Sequence, residues 1–249
     1  MSTRRFLAAC LPGFPALPWF CYPHSCEDKT EIKPYGYFRK EWMHVTPQLS
    51  KVAEALEKNN INCIVVSDAK EAKEKALTLI DKNDTIGLGG SVSIDQIGIL
   101  PYLRENGYRL LDRYDSSLGR EEVMAILKQS ATADIFMCST NALTEQGELV
   151  NKDGMGSRMG PVIFGPHKVI VFCGRNKIVR DIPAALKRIE LHAAPLNASR
   201  LEQNVPCVAT GRCMDCNSPE RICCSTIILH QQRQPGRITV IIIDEDLGF

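Results

Sequence analysis

The stretch Thr85-Ile86-Gly87-Leu88-Gly89-Gly90-Ser91-Val92-Ser93 joins a short strand-like run to a segment with helical patterning. Glycines at such a junction let backbone N–H groups approach an anion, and serine hydroxyls add further donors. In an open α/β sheet, ligands bind at the carboxyl ends of the strands. The stretch matches neither a Walker loop nor a G-x-G-x-x-G dinucleotide fingerprint. It predicts either a tight turn that needs positive φ, or a ligand loop whose binding residues are Gly87, Gly89, Gly90, Ser91 and Ser93.

Helical and strand-like segments alternate on both sides of this stretch. Apolar residues at three- and four-residue spacing predict helices at 47–58, 69–80, 93–105, 120–130 and 182–191. Apolar runs predict strands at 61–67, 85–88, 108–112, 133–139, 168–174 and 238–243, and a hairpin at 142–150. This alternation indicates an α/β fold with an open, largely parallel sheet and helices on both faces.

Composition narrows the class of protein. A chain of 249 residues with 44% hydrophobic and 24% charged residues is typical of a soluble globular protein with a sizeable core. The net charge of +1 offers no support for a nucleic-acid partner. No stretch contains the roughly 20 apolar residues that a membrane span needs.

The cysteines and the first residues bear on localisation. Cys63, Cys138 and Cys173 lie in apolar runs and are expected to be small buried hydrophobes, which fits a reducing cytoplasm. Residues 1–32 are rich in proline and aromatic residues, and we expect an extension with little regular structure. The run from Arg4 to Cys10 has the outline of a lipoprotein signal, but its apolar part is short and prolines follow at once.

Five of the eleven cysteines lie between residues 207 and 224, just ahead of the last predicted strand. The step Cys213-Met214-Asp215-Cys216 lets two thiolates from one tight turn reach a single metal ion or cluster. Cys207 and Cys223 are the predicted third and fourth ligands, with Cys224 as a spare. The segment predicts an iron–sulfur or zinc site. The alternative is a set of reduced thiols, or a redox pair, in a tight loop.

Four further side chains are candidates for binding or catalysis: Asn141, Glu145, Arg158 and Lys177. Glu145 is the proposed acid, base or nucleophile, unless it is a solvated turn glutamate. Arg158 follows Gly154-Met155-Gly156-Ser157 and suits bidentate capture of a carboxylate or phosphate, unless it pairs with Asp153 at the surface. Lys177 follows a strand end and faces either the ligand crevice or water. We expect these residues to share one crevice with Gly89 if their strands are neighbours.

Several motifs occur in the order found in the LUD domain, the lactate-utilisation family formerly called DUF162. They are Gly87 to Ser91 with Ile97-Gly98, Asn141 to Asn151, Gly156-Ser157-Arg158, Phe164 to Val169, Asn176 to Val179, and the terminal Gly236-Arg237-Ile238 and Leu247-Gly248. The resemblance covers residues 45–249. The cysteine segment 207–224 resembles the C-terminal motif of a clostridial-type LUD subgroup.

The resemblance implies a NagB/RpiA/CoA-transferase-like fold and a role in using lactate or a related small organic acid. It implies a subunit or accessory of an iron–sulfur oxidase system, with an organic acid, a phosphate or a CoA-type molecule in the glycine-serine loop. The resemblance is also compatible with a homo-oligomer. The alternatives are a CoA-transferase-like or sugar-phosphate-isomerase-like enzyme that uses Glu145, and a non-catalytic metal or redox sensor.

Overall fold

The computed structural model describes residues 47–249, so the predicted extension at 1–32 lies outside the described residues. The helices are α1 (Pro47–Lys58), α2 (Ala69–Thr78), α3 (Val92–Ile97), α4 (Ile99–Glu105), α5 (Arg120–Ser130), α6 (Met159–Ile163), α7 (Ile182–Arg188), α8 (Ala194–Arg200) and α9 (Pro206–Thr210). The strands are β1 (Asn62–Val66), β2 (Thr85–Leu88), β3 (Arg109–Leu110), β4 (Ile135–Ser139), β5 (Ala142–Thr144), β6 (Leu149–Asp153), β7 (Lys168–Gly174), β8 (Ile178–Val179), β9 (Ser225–Leu229) and β10 (Ile238–Ile243).

The main sheet has six parallel strands in the order β1-β10-β7-β4-β2-β3. Alternate residues of its strands enter two separate cores, because successive side chains of a strand point to opposite faces. Val169 and Val171 pack with α1 and α6 on one face, whereas Ile170 and Phe172 pack with α2, α3 and α4 on the other. The predicted open parallel sheet with helices on both faces is therefore confirmed.

The buried cysteines also agree with prediction. Cys63, Cys138 and Cys173 are at most 3% exposed and lie in the core on the α1 side of the sheet. Burial raises the pKa of the Cys138 thiol to about 12 and that of Cys173 to about 11, because a thiolate is poorly solvated there. These thiols act as apolar packing groups.

A second sheet has the strand order β8-β5-β6-β9, and the sequence predicts only part of it. The predicted hairpin is present as the antiparallel pair β5 and β6. The sequence gives no sign of β9, which pairs with β6 and begins directly after Cys224. The expectation that the cysteine segment leads straight to the last strand is therefore wrong, since β9 intervenes.

Two helical segments also differ from prediction. The helix expected at 93–105 divides at Gly98, whose φ of 67° ends α3. The helix expected to end near Leu191 continues through a π-helical turn, Ile189–Ala193, into α8. No helix in residues 47–249 is long and apolar enough to cross a membrane.

The strand order positions the ligand site. From β2 the chain runs to its neighbour β3 at the sheet edge, and then returns past β2 to form β4 on the other side. Such a reversal opens a crevice at the carboxyl ends of β2 and β4. The carboxyl ends of β7 and β10 lie next along the same edge.

Candidate functional site

A cavity of about 70 Å³ lies at this carboxyl edge. Its floor comes from the segments that follow four neighbouring strands: Gly90, Ser91 and Ser93 after β2, Ser139 to Asn141 at β4, Lys177 after β7, and Phe249 after β10. Residues of the π-helical turn, of α8 and of the cysteine segment line the rest. Gly90, Ser91, Ser93, Asn141, Arg158 and Lys177, all predicted to bind ligand, therefore meet at one place.

Lys177 lies at the centre of this floor and is only 3% exposed. Its Nζ donates to Ser93 Oγ and to Ser139 Oγ, each at 2.8 Å. Burial lowers its pKa to about 8, and the positive charges of Arg188 and Arg158 act in the same direction. Within residues 47–249 no carboxylate forms an ion pair with it. The cavity thus contains a buried ammonium group without a counter-ion.

The segment after β10 covers this ammonium group closely. A Cβ atom on Gly248 would lie 2.5 Å from Ser93 Oγ and 3.1 Å from Lys177 Nζ. The φ of Gly248 is 63°, a left-handed conformation that disfavours other residues. A glycine at 248 therefore permits the contact between Ser93 and Lys177.

Arg158 lines the cavity, but its guanidinium is not free for the predicted bidentate capture. Nη1 donates to Ser139 O and Asn151 Oδ1, and Nη2 donates to Asn141 Oδ1 and Lys152 O, at 2.7 to 3.0 Å. Nε lies 3.8 Å from Asp153 Oδ2. Since all four terminal N–H groups are used, Arg158 positions its neighbours and contributes positive charge.

Arg158 helps to fix the position of the Asn141 side chain. Its Oδ1 accepts from Lys152 N and Arg158 Nη2, both at 3.0 Å, which sets the orientation of the amide. Its Nδ2 donor has no hydrogen-bond partner in the described part of the chain. Asn141 therefore offers a donor at the cavity wall, and its role in binding stays a prediction.

The glycines of the opening stretch have different roles. None of Gly87, Gly89 and Gly90 has positive φ, so the turn does not need glycine for that reason. A Cβ on Gly87 would lie 2.8 Å from Ser130 Cβ, and one on Gly89 would lie 2.9 Å from Cys138 Cβ. Gly87 and Gly89 allow close packing and do not line the cavity, and their contact with ligand stays a prediction.

Glu145 lies away from the cavity. It is exposed in the turn between β5 and β6, and its Oε1 accepts from Gln48 Nε2 at 3.4 Å. The turn is held against α1, since Asn59 Nδ2 donates to Gln146 O at 2.8 Å and Gly147 packs on the α1 backbone. The expectation that Glu145 shares a crevice with Gly89 is wrong, because β5 belongs to the second sheet and carries its turn away from the carboxyl edge.

The cysteine segment forms part of the cavity wall through Cys223. Burial and the neighbouring thiols of Cys216, Cys223 and Cys213 raise the pKa of Cys207, so the four predicted ligands lie within electrostatic range of one another. As the side chains stand, no group of three or more His, Cys, Asp or Glu residues between 47 and 249 is placed to hold a metal ion. The metal site stays a prediction.

Arg221 fixes the backbone of the cysteine segment. Its Nη1 donates to Cys216 O at 2.7 Å and its Nε donates to Cys223 O at 3.2 Å. The spare Cys224 turns elsewhere, with its Sγ near Arg221 O at 3.3 Å. These two hydrogen bonds hold the backbone at Cys216 close to that at Cys223, although most of the segment has no regular structure.

Ser139 and Lys152 are among the cavity residues that were not predicted as site residues. Ser139 ends the buried strand β4 and holds Lys177, and Lys152 lines the wall while its Nζ pairs with Glu190 at 3.0 Å. The position of Ser139 at a strand end is a signal that sequence analysis can use. Lys152 gives none, since it lies in the middle of β6.

An open parallel sheet with a polar cavity at its carboxyl edge defines a class of α/β proteins whose ligand sites lie at this edge. The chain belongs to the LUD domain family, whose model matches residues 49–243. The predicted family is confirmed, and the clostridial-type subgroup stays a prediction.

Solved structures similar to the chain include a DUF162 family protein from Deinococcus radiodurans, with 14% identity and a TM-score of 0.45, over 79% of this chain and 96% of that one. Ribose 5-phosphate isomerase A from Neisseria gonorrhoeae has 15% identity and a TM-score of 0.30. The same enzyme from Methanocaldococcus jannaschii has 18% identity and a TM-score of 0.31, and both similarities cover 46% of this chain and 54% of the isomerase. No curated protein matches the chain.

Proposed function

We propose that the chain binds a small organic carboxylate, lactate or a related acid, in the cavity around Lys177. The observation that carries the proposal is the buried Lys177 ammonium, which has no carboxylate partner between residues 47 and 249. Burying an unpaired charge is costly, and an anion in the cavity offsets that cost. At about 70 Å³ the cavity is far smaller than the roughly 300–1,000 Å³ of sites for drug-sized ligands, which favours a small acid over a sugar phosphate.

The surrounding groups suit such an acid. Lys177 pairs with the carboxylate. Ser93 and Ser139 accept from Lys177 and donate to Leu247 O at 3.3 Å and to Thr140 O at 3.2 Å, so they hold the ammonium group in place. Asn141 Nδ2 donates to the oxygen on the neighbouring carbon of the acid. Arg158 adds positive charge from behind without touching the ligand.

We also propose that Cys207, Cys213, Cys216 and Cys223 hold an iron–sulfur cluster, with zinc as the alternative. The thiols of Cys213, Cys216 and Cys223 lie close enough to raise the pKa of Cys207, and the four together form a soft donor set of the right number for either group. A bound iron–sulfur cluster supplies one-electron transfer. The protein then acts as a subunit or accessory of an iron–sulfur system that oxidises the acid, with Cys223 at the cavity wall.

Calorimetry with L-lactate and pyruvate tests the carboxylate site. We expect binding by the intact protein, a loss of about tenfold or more in Lys177→Met, and no change in Lys187→Met, a matched exposed lysine on α7. Absence of binding by the intact protein, or equal binding by both variants, contradicts the proposal.

Metal analysis and the visible spectrum of anaerobically purified protein test the thiol site separately. Iron and sulfide with broad visible absorption support a cluster, and colourless protein with one zinc per chain supports zinc. Metal-free protein whose thiols all titrate rules out both. A transferase that uses Glu145 has no comparable support, because its carboxylate lies outside the cavity.

A further inference from the structure

A second, larger cavity of about 520 Å³ adjoins the first. Gly90, Lys152, Arg158, Asn197 and Ile222 line both, so the two cavities share a wall. The outer cavity is lined by six cationic side chains and two carboxylates, although the whole chain carries a net charge of only +1. Positive charge is therefore concentrated at this surface.

Three of these cations are available to a ligand: Arg113, Arg120 and Arg200. None of them forms an ion pair with a residue from 47 onward, unlike Arg104 and Arg175, which pair with nearby aspartates. Arg120 makes no hydrogen bond within the described chain, and Arg200 donates only to Asn197 Oδ1, at 2.8 Å from Nη2.

The two carboxylates of the outer cavity are already engaged. Asp153 accepts from the backbone N–H of Gly156 at 2.8 Å and of Met159 at 3.2 Å. Glu220 accepts from Asn204 N at 2.6 Å. Neither forms an ion pair with Arg113, Arg120 or Arg200. Asp95 lies within electrostatic range of Arg200, and the Arg113 guanidinium lies over the Tyr114 ring at 5.5 Å, which leaves its charge without a carboxylate partner in the outer cavity.

We infer that the outer cavity binds the diphosphate group of a nucleotide-type ligand. Planar guanidinium groups match phosphate oxygens with two parallel hydrogen bonds, and three of them from separate segments can surround a diphosphate. The volume falls in the range of small-molecule sites. Met155 and Leu201, exposed to 72% and 41%, offer apolar contacts for the rest of the ligand. This site lies beside the carboxylate site and takes a different ligand.

Calorimetry with inorganic pyrophosphate and with ADP tests this inference, with adenosine as the uncharged comparison. We expect both anions to bind and adenosine to bind at least tenfold more weakly. Arg120→Gln and Arg200→Gln each weaken pyrophosphate binding by about tenfold, because each removes a charge-assisted contact. Arg233→Gln, an exposed arginine outside both cavities, leaves it unchanged.

The inference fails if neither anion binds at millimolar concentration, if adenosine binds as well as ADP, or if Arg233→Gln weakens binding as much as Arg120→Gln. Unchanged thermal unfolding midpoints confirm that the exposed variants remain folded. Lys177→Met separates the two sites: we expect it to lose lactate binding and to keep pyrophosphate binding. Arg120→Gln should show the reverse, so each site can fail independently.

Discussion

A lysine ammonium between two serine hydroxyls, in a cavity that four strands share, is the most consequential single group in this protein. Its pKa is about 8 in the folded chain, against an ordinary value of 10.5, chiefly because burial disfavours the charge. The unfolded chain therefore binds more protons than the folded one between these two values. Stability rises with pH wherever that holds, so Lys177 destabilises the fold most below pH 8 and progressively less up to about pH 10.5.

This gives a prediction at the residue scale. Between pH 7.5 and pH 10 the unfolding free energy of the native chain should rise relative to Lys177→Met by roughly 2.5 kcal/mol, since the slope approaches about 1.4 kcal/mol per pH unit between the two pKa values. Urea unfolding of both proteins across this range measures the difference, in which most other titrating groups cancel. Parallel pH profiles would show that the Lys177 pKa is not lowered.

At the scale of elements, the partly buried Arg158 and the buried Arg237 hold irregular backbone in place. Arg158 binds the end of β4 and the β5–β6 hairpin. Arg237, before β10, donates to Pro161 O, Val162 O and Pro166 O, and so satisfies carbonyls at the end of α6. Only Arg158 lies at the carboxyl edge of the main sheet, where the cavity opens.

Arg158→Met and Arg237→Met should therefore differ in their effect on lactate binding, but both should lower the unfolding free energy. Each leaves several buried carbonyl or amide oxygens without a donor, and we expect each to lower the unfolding free energy by roughly 3 kcal/mol or more. Only Arg158→Met should weaken lactate binding, because it releases Asn141 and Ser139. Denaturant unfolding and calorimetry on the same samples give both quantities, and an equal effect of the two variants on binding would refute the assignment.

Sequence analysis predicts helices and strands best where one physical signal, such as a continuous apolar run, dominates. The apolar runs of β7 and β10 predict central strands because both are buried along nearly their whole length. The strand β9 is missed because it is a half-exposed edge strand behind a cysteine-rich loop, without clear alternation. Glu145 is misplaced for another reason: it follows a strand end, but that strand belongs to the second sheet.

At the scale of the whole molecule, the site depends on strand order, which a single sequence does not specify. Serines 93 and 139, Lys177 and Gly248 are far apart in the chain and meet because β2, β4, β7 and β10 are neighbours. The insertion of β10 between β1 and β7 brings the last residues over Lys177. Each strand end is predictable from its apolar run, whereas their adjacency arises from the packing of both helical layers.

Hydrogen exchange with and without lactate tests this convergence across the whole molecule. Ligand at a hundred times its dissociation constant stabilises the bound state by about 2.7 kcal/mol, which slows exchange up to roughly 100-fold where amides open only in the free protein. We expect protection in four distant segments, 89–94, 139–141, 175–178 and 247–249, and none in the turn 145–147. Lys177→Met should lose the protection in all four together. Protection confined to 145–147 would instead place the ligand beside Glu145 and overturn the assignment of the cavity.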